Sequence, residues 1–339
     1  MKLLFLTLPL WVCSSLYAQT TSDSSRFFYE TGMKEKAGKR YLVASQAFEK
    51  AIKFDPSNTK ALIEHGYTNL EMKRTDPAKA SFTKVNELDP ANKEAIRELT
   101  GIYFNYRQFD KAIEFAQKCT ECDNSDRIIG LCYYQKEEYT QAEKYLKAAL
   151  NNNPKDAEVA YTLGRTYVDM EEYKKSLQWY EKAIKMEGAK NTWMYELGLL
   201  YYNDNNYKNA IAAFQSAADN GYVQTNDFKE NVGFASLYVG EYEKGEKLIM
   251  DIWAKKPGNK DLLRDMAEIL YREKQYDRSL SYCQKLMEID NKDGKALYQA
   301  GLNFQRKGEK DRGMQMCDKA IDLDPSLDAL RRKKEISGL

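Results

Sequence analysis

One feature of this 339-residue sequence constrains its fold more than any other: a small side chain recurs at intervals close to 34 residues. The steps between successive positions are 34, 34, 30, 34, 34, 35, 34 and 34 residues. A period of this size is typical of repeat architectures, in which each supersecondary unit stacks on the next. The nine residues in phase are Ala44, Ala78, Ala112, Ala142, Ser176, Ala210, Gly245, Ser279 and Gly313.

A second position recurs with the same spacing, twelve residues earlier in each repeat, and its side chain is also small. Seven of its nine occupants are glycine, although glycine inside a helix costs about 1 kcal/mol relative to alanine. Two antiparallel helices approach closely only where the side chains between them are small. We therefore predict that each repeat is a helical hairpin. The residues at this second position are Gly32, Gly66, Thr100, Gly130, Gly164, Gly198, Gly233, Ala267 and Gly301.

Aromatic residues and prolines mark where the helices of each hairpin end. A tyrosine or phenylalanine stands three residues before the first small position in most repeats, where the hairpin turns, as at Tyr173 and Tyr207. Five repeats close with a proline, which stops a helix because it lacks the backbone N–H and its ring clashes with the preceding turn. These prolines are Pro56, Pro90, Pro154, Pro257 and Pro325.

The combined pattern resembles the tetratricopeptide repeat, and the similarity extends over residues 25–327. The resemblance implies a right-handed superhelix whose concave face is lined by the first helix of every hairpin. In the family, that face usually holds an extended peptide or a helix of a partner protein. The fifth repeat carries the pattern in Leu163, Gly164, Tyr167, Tyr173, Ser176, Tyr180 and Ala183.

We therefore predict an all-α protein: a right-handed superhelical solenoid of about nine hairpins, with no linker between domains. A signal peptide (1–18) and a short lead (19–24) precede the array, and a basic capping helix and tail (328–339) follows it, with cations that suit a helix C-terminus. The predicted repeats span 25–58, 59–92, 93–122, 123–156, 157–190, 191–225, 226–259, 260–293 and 294–327.

The first residues have the pattern of an export signal. Lys2 precedes an apolar run from Leu3 to Val12, which is too short to span a membrane, and small residues follow it up to Ala18. We predict a signal peptide cleaved after Ala18. The alternative is a lipoprotein anchored through Cys13, although Val12 fits poorly before such a site. The segment is similar to those of Bacteroidota envelope proteins, so we expect a periplasmic or outer-membrane-associated protein.

The composition excludes several classes of protein. Lys and Arg number 52 and Asp and Glu 51, and this near-neutral charge gives no general attraction to nucleic acid or to anionic lipid. Only the N-terminal stretch could enter a bilayer, which argues against an integral membrane protein. The 25 Tyr, 13 Phe and 4 Trp are ample for a folded core.

The sequence contains no convincing catalytic or metal site. Its one histidine, His65, occupies a slot held by leucine in other repeats, and we interpret it as a core residue. A single histidine excludes histidine-based metal clusters and weakens any catalytic triad. We therefore predict a protein that is not an enzyme and binds no cofactor.

Three cysteines lie near the shortened third repeat. Cys119 and Cys122 form a CxxC, which is redox-active or binds zinc in other contexts, but neither a second CxxC nor a preceding strand is present. For an exported protein, we predict a disulfide between Cys132 and either Cys119 or Cys122. Cys283 and Cys317 occupy equivalent slots, and we expect both to pack in the core.

The resemblance also indicates which residues line the concave face. Tyrosine and arginine dominate there, as they do in binding hot spots, but packing between neighbouring first helices is the alternative explanation. The main candidates are Tyr67, Leu70, Arg97, Phe104, Arg127, Tyr134, Tyr161, Arg165, Tyr195, Tyr202, Tyr238 and Tyr271. Others on the same slots are Leu131, Leu199, Phe234, Leu237, Tyr298 and Leu302.

These observations favour a non-enzymatic scaffold of the bacterial cell envelope that binds a protein or peptide, and no nucleic acid, in its concave face. By family analogy, we expect it to associate with outer-membrane or secretion machinery. The alternative function is binding of glycan or peptidoglycan, because rows of aromatic rings also stack on sugars. The Lys, Asn and Arg set with which some family members hold a peptide carboxylate does not appear here.

Overall fold

The computed structural model describes residues 11–119, 122 and 124–329, with side chains described from residue 21 onward. In this part of the chain there are 18 α-helices and one 3-10 turn, and no β-strand. The predicted all-α repeat fold is therefore confirmed. The start of the predicted signal peptide and residues 330–339 of the predicted cap lie outside the described residues.

The chain divides into two compact units, the first ending at Glu172 and the second beginning at Tyr173. The helices of the N-terminal unit are α1 (Trp11–Ala37), α2 (Tyr41–Phe54), α3 (Thr59–Glu71), α4 (Thr75–Leu88), α5 (Lys93–Asn105), α6 (Phe109–Gln117), α7 (Ser125–Gln135), α8 (Tyr139–Asn152) and α9 (Ala157–Asp169). Those of the C-terminal unit are α10 (Tyr173–Ala183), α11 (Asn191–Asn203), α12 (Tyr207–Asp219), α13 (Asn226–Tyr238), α14 (Tyr242–Trp253), α15 (Lys260–Arg272), α16 (Tyr276–Ile289), α17 (Gly294–Arg306) and α18 (Lys310–Leu323), followed by the 3-10 turn Pro325–Leu327.

Within each unit, a helix packs mainly against its neighbours along the chain. The core therefore runs as a row of apolar side chains between successive hairpins rather than as one central cluster. In the N-terminal unit, Phe82 and Leu99 are fully buried in this row. In the C-terminal unit, the corresponding row contains the fully buried side chains of Leu237, Leu263 and Met266.

The small residues of the repeat lie where the two helices of a hairpin meet. A Cβ atom added at Gly66 in α3 would lie 2.6 Å from Cζ of Phe82 in α4. In the last hairpin, a Cβ on Gly301 would lie 2.7 Å from the carbonyl oxygen of Gly313. Glycine is therefore required at Gly66 because the ring of Phe82 lies close to its Cα, and at Gly301 because the backbone of Gly313 lies close.

Each hairpin turns through one residue in the left-handed backbone region. Glycine adopts this conformation without strain, and Gly240 and Gly308 occupy the position in two hairpins of the described chain. The other hairpins place a residue with a side chain there, such as Lys73 (φ 57°) or Lys274 (φ 62°). These turns therefore carry a small backbone strain of about 1 kcal/mol each.

Polar caps begin most first helices. The Asn58 side chain accepts a hydrogen bond from the backbone N–H of Ala61 at 3.0 Å, and Asp156 caps α9 through Val159 in the same way. Such a cap satisfies a backbone donor that has no partner inside the helix. The caps at Asn58, Asn92, Asp156 and Asn259 each follow a repeat proline by two residues, so the chain leaves one hairpin and enters the next within a few residues.

The third repeat is shorter than its neighbours because its second helix, α6, ends early. This helix has nine residues, whereas α4 and α8 have fourteen. Directly after it, a disulfide joins Cys119 to Cys122. The predicted pairing of Cys132 with either of them is wrong, because Cys132 is a buried free thiol on α7. The bridge closes within the turn itself and does not reach the following helix.

Candidate functional site

In the N-terminal unit, the predicted binding residues lie on the first helices α3, α5, α7 and α9. All are half-buried or exposed, so part of each side chain is accessible to solvent. They are Tyr67, Leu70, Arg97, Phe104, Arg127, Tyr134, Tyr161 and Arg165.

Tyr67 is already engaged by residues of neighbouring helices. Its hydroxyl accepts a hydrogen bond from Nη2 of Arg97 at 2.9 Å and donates one to Oε1 of Glu94 at 3.1 Å. The ammonium of Lys36 lies 5.5 Å from its ring centre. Partial burial raises the pKa of Tyr67, and the carboxylates of Glu98 and Glu94 raise it further, so the hydroxyl stays neutral.

The arginines of α7 and α9 are likewise held by neighbours. Nε of Arg127 lies 2.9 Å from Oδ2 of Asp156, and its guanidinium also pairs with Glu158. The guanidinium of Arg165 lies 5.7 Å from the centre of the Tyr134 ring. Packing between neighbouring first helices therefore accounts for much of the tyrosine and arginine on this face.

In the C-terminal unit, Tyr195 belongs to an aromatic cluster. Its ring stacks on Tyr222 at 4.5 Å between ring centres and lies 5.5 Å from Phe214 and 5.8 Å from Phe228. Nδ2 of Asn231 donates a hydrogen bond to its hydroxyl at 3.0 Å. Tyr195 thus packs α11 against α12 of its own hairpin and against α13 of the next hairpin.

Tyr271 on α15 is also engaged by its own unit. Its hydroxyl accepts a hydrogen bond from Nε of Arg306 on α17 at 3.2 Å, and its ring centre lies 5.8 Å from that of Tyr276. Leu199 and Leu302 are half-buried on α11 and α17. The packing of neighbouring first helices therefore takes up part of the predicted binding face in this unit as well.

Four residues predicted to be exposed on the binding face are buried, and the prediction was wrong for them. Leu131, Phe234, Leu237 and Tyr298 are between 0% and 8% exposed. Leu237 shows the reason: it points toward the second helix of its own hairpin, where a Cβ on Gly245 would lie 2.6 Å from it. One helical face thus supplies both core and groove residues, and their spacing alone does not separate them.

An open cavity of about 350 Å³ lies between α11, α13 and α15 of the C-terminal unit. Two of the main predicted binding residues, Tyr202 and Tyr238, contribute to it, together with the buried Phe234. The ring of Tyr207 stacks on that of Tyr238 at 4.0 Å between centres. We call this cavity the acidic pocket; it is lined by Tyr202, Glu230, Asn231, Phe234, Tyr238, Asp265, Glu268, Ile269 and Arg272.

The charges of the acidic pocket are not balanced. Glu268 pairs with Arg272 one turn away on α15. Glu230 on α13 and Asp265 on α15 have neither an ion pair nor a hydrogen bond to any described residue of this unit. Both were missed by the sequence analysis, which looked for aromatic and apolar residues, although Glu230 occupies a slot that faces the groove in other repeats.

The surroundings disfavour negative charge on both of these carboxylates. Desolvation raises the pKa of Glu230, and the nearby Asp227 and Asp265 raise it further. Desolvation also raises the pKa of Asp265; Glu268 and Asp261 add to this rise, while Arg264 opposes it. The pocket is therefore electrostatically suited to a cation.

The remaining reactive side chains are buried in the packing. His65 is 7% exposed, its Nδ1 lies 2.7 Å from Oγ of Ser81, and burial lowers its pKa, which favours the neutral ring. Burial raises the pKa of both Cys132 and Cys283 to about 12, so neither is a thiolate near neutral pH. Among the described residues, no group of three or more His, Cys, Asp or Glu side chains is arranged to hold a metal ion.

Models of the tetratricopeptide repeat match the chain at residues 59–92, 124–186, 161–222 and 294–327. This chain is a tetratricopeptide repeat protein. Repeats of this family bind proteins or peptides and typically serve as non-enzymatic scaffolds, so the chain is a scaffold for protein–protein interaction. No helix in the described part of this tetratricopeptide repeat protein combines the length and apolar character needed to span a bilayer.

Several solved structures are similar to this tetratricopeptide repeat protein. YrrB, described as a TPR protein with an unusual peptide-binding site, is 23% identical, with 56% of this chain and 97% of YrrB covered and a TM-score of 0.40. The MamA protein is 22% identical, with 60% and 94% covered and a TM-score of 0.32. PilW, described as a type IV pilus biogenesis factor, is 17% identical, with 70% and 96% covered and a TM-score of 0.39. A search of curated proteins found no match.

Proposed function

We propose that this protein is a non-enzymatic scaffold of the bacterial cell envelope that holds an extended segment of a partner protein against the first helices of its repeats. The observation that carries this proposal is the acidic pocket. It opens between three first helices, two tyrosines line it, and two of its carboxylates lack partners among the described residues of the unit. Open concave sites with a few convergent polar groups are the usual form of a binding site.

The envelope location is supported by the sequence. The apolar run from Leu3 to Val12, followed by small residues, has the pattern of an export signal. Intact-mass measurement of the protein isolated from its own cells tests this part. A mature chain that begins at Gln19 supports simple cleavage, and one that begins at a lipidated Cys13 supports the lipoprotein alternative. A chain that keeps Met1 contradicts export by either route.

Binding by the first helices can be tested with a photo-crosslinking amino acid in living cells. We would place benzoylphenylalanine at Tyr238, which lines the acidic pocket, and in a matched control at Met314, which is 53% exposed on the second helix α18. We expect protein adducts, identified by mass spectrometry, from the Tyr238 position and not from Met314. Equal labelling at both positions would contradict the assignment of the binding face.

The glycan-binding alternative gives a different result in a separate experiment. If aromatic rings of the groove bind sugars, the purified protein will be retained on insoluble peptidoglycan, and replacement of Tyr238 by alanine will release it. We expect no such retention, because the carboxylates of the acidic pocket suit a cation better than a neutral sugar. Retention that depends on Tyr238 would replace the protein-binding proposal.

A further inference from the structure

The unpaired carboxylates of the acidic pocket differ from other acidic residues that lie between helices of the C-terminal unit. Oδ2 of Asp293 accepts a hydrogen bond from Arg264 at 2.7 Å. Oε2 of Glu246 accepts one from Arg278 at 2.6 Å, and Oδ2 of Asp290 accepts one from Lys260 at 2.7 Å. Inter-helix carboxylates in this unit thus commonly have a basic partner, as expected for charges removed from water.

Glu230, which is half-buried, and Asp265, which is exposed, have no such partner at a place where the helices leave an open cavity. They lie on neighbouring first helices, α13 and α15, and line the same space of about 350 Å³. The pocket holds three carboxylates and a single guanidinium, that of Arg272, which is already paired with Glu268. The excess negative charge is therefore complementary to a positive group that enters from outside.

The walls of the pocket define the shape of that group further. Phe234 and Ile269 line the pocket but are only 6% and 7% exposed, so the methylene stem of a long side chain would pack mainly against the half-buried rings of Tyr202 and Tyr238. Tyr202 and Tyr238 bring aromatic rings, which attract a cation to their faces. Two rings and two unpaired carboxylates together match a long side chain that ends in a positive charge.

We propose that the acidic pocket binds the lysine or arginine side chain of the extended partner segment, an inference that rests on the proposed function. The stem of the side chain lies against the rings of Tyr202 and Tyr238, and its cationic end lies between Glu230 and Asp265. A neutral apolar side chain at the same place would remove both carboxylates from water without compensation, so it binds more weakly. The pocket therefore selects partners with a basic residue at one fixed position.

The experiment uses peptides, since the partner is unidentified. A phage-displayed library of random nonapeptides is panned on the full chain, and we expect the selected sequences to share a lysine or arginine at one position. One selected peptide and its analogue with norleucine in place of that basic residue are then titrated against three proteins. These are the wild type, the E230Q/D265N variant, and the control variant D251N/D322N.

The control changes the net charge by the same amount as the test variant. Asp251 and Asp322 are exposed carboxylates on the second helices α14 and α18. In the wild type and in the control, we expect norleucine to weaken binding by about tenfold, as for a well-placed charge pair. In E230Q/D265N, we expect the two peptides to bind with nearly equal affinity, which isolates the pairwise interaction.

The possible results separate the two proposals. If the selected peptides bind the wild type but norleucine costs nothing, the assignment of the pocket is wrong and the scaffold function stands. The same conclusion follows if the norleucine effect is as large in E230Q/D265N as in the wild type. If no peptide is selected at all, binding of an extended segment is contradicted, and the assignment of the pocket falls with it.

Discussion

Substitution of a single glycine tests the close helix contact on which every hairpin depends. In Gly66→Ala, the new Cβ atom would lie 2.6 Å from Cζ and 2.8 Å from Cε2 of the Phe82 ring. This ring is fully buried and contacts the ring of Tyr67 edge-on at 5.3 Å between centres. Because the ring is fully buried, relief of this contact requires α3 and α4 to separate or Phe82 to leave its rotamer.

The expected magnitude follows from two opposing effects. Overpacking of a filled core costs about 1–3 kcal/mol, while alanine in place of glycine returns about 1 kcal/mol of helix propensity. We therefore expect a net loss of about 1 kcal/mol, and about 2 kcal/mol at most. Gly101 provides the matched control, because it lies inside helix α5 and a Cβ there would meet no atom within 4 Å. Gly101→Ala should therefore stabilise the protein by about 0.5–1 kcal/mol.

Urea unfolding followed by the helical circular dichroism signal measures both variants against the wild type. Because repeat arrays need not unfold in one step, hydrogen exchange of the α3 and α4 amides gives the local free energy of opening. The two substitutions should shift stability in opposite directions. If Gly66→Ala is as stable as Gly101→Ala, the close contact is not what retains glycine in the repeat, and the packing argument is refuted.

Three further predictions follow from the structure. Lys274→Gly should raise the free energy of unfolding by up to about 1 kcal/mol, because it relieves a positive φ at a hairpin turn; unchanged stability in urea would contradict this. The pKa values of Glu230 and Asp265 are higher in the folded protein than in the unfolded chain. The stability that these two groups contribute is therefore fully present below their unfolded pKa values, at about pH 4, and is lost as the pH rises through their folded pKa values. The E230Q/D265N variant should accordingly be more stable than the wild type at about pH 7 and gain nothing at about pH 4, as measured by urea titrations at both pH values. Cys132, a buried thiol whose pKa is raised to about 12, should resist iodoacetamide in the native protein and react after unfolding, as followed by peptide mass mapping.

The hairpins could be predicted from the sequence because their causes are local. Gly66 and Phe82 are sixteen residues apart, and their pairing follows from two helices joined by a short turn. The same holds for the aromatic residue at each turn and the proline at the end of a repeat. The position of His65 in the core was also predicted, since it takes a slot that leucine holds elsewhere.

The binding face was harder to predict, because residues about thirty positions apart decide which of its side chains stay available. Tyr67 and Arg97 are residue types that are common in binding hot spots, yet they form a hydrogen bond with each other between neighbouring first helices. Leu237 has the spacing of a groove residue and is buried in its own hairpin. The cysteine pairing was wrong for a related reason, since only the path of the turn after α6 brings Cys119 to Cys122.

The sequence by itself determined the helical hairpin and its repetition, because small residues, turns and caps act within a single unit of about 34 residues. Only the tertiary structure decided where negative charge is left without a partner. Glu230 and Asp265 come from different repeats, and they line one cavity because α13 and α15 lie beside each other in the C-terminal unit. Charge balance at such a place depends on the distance between stacked helices, which no single repeat encodes.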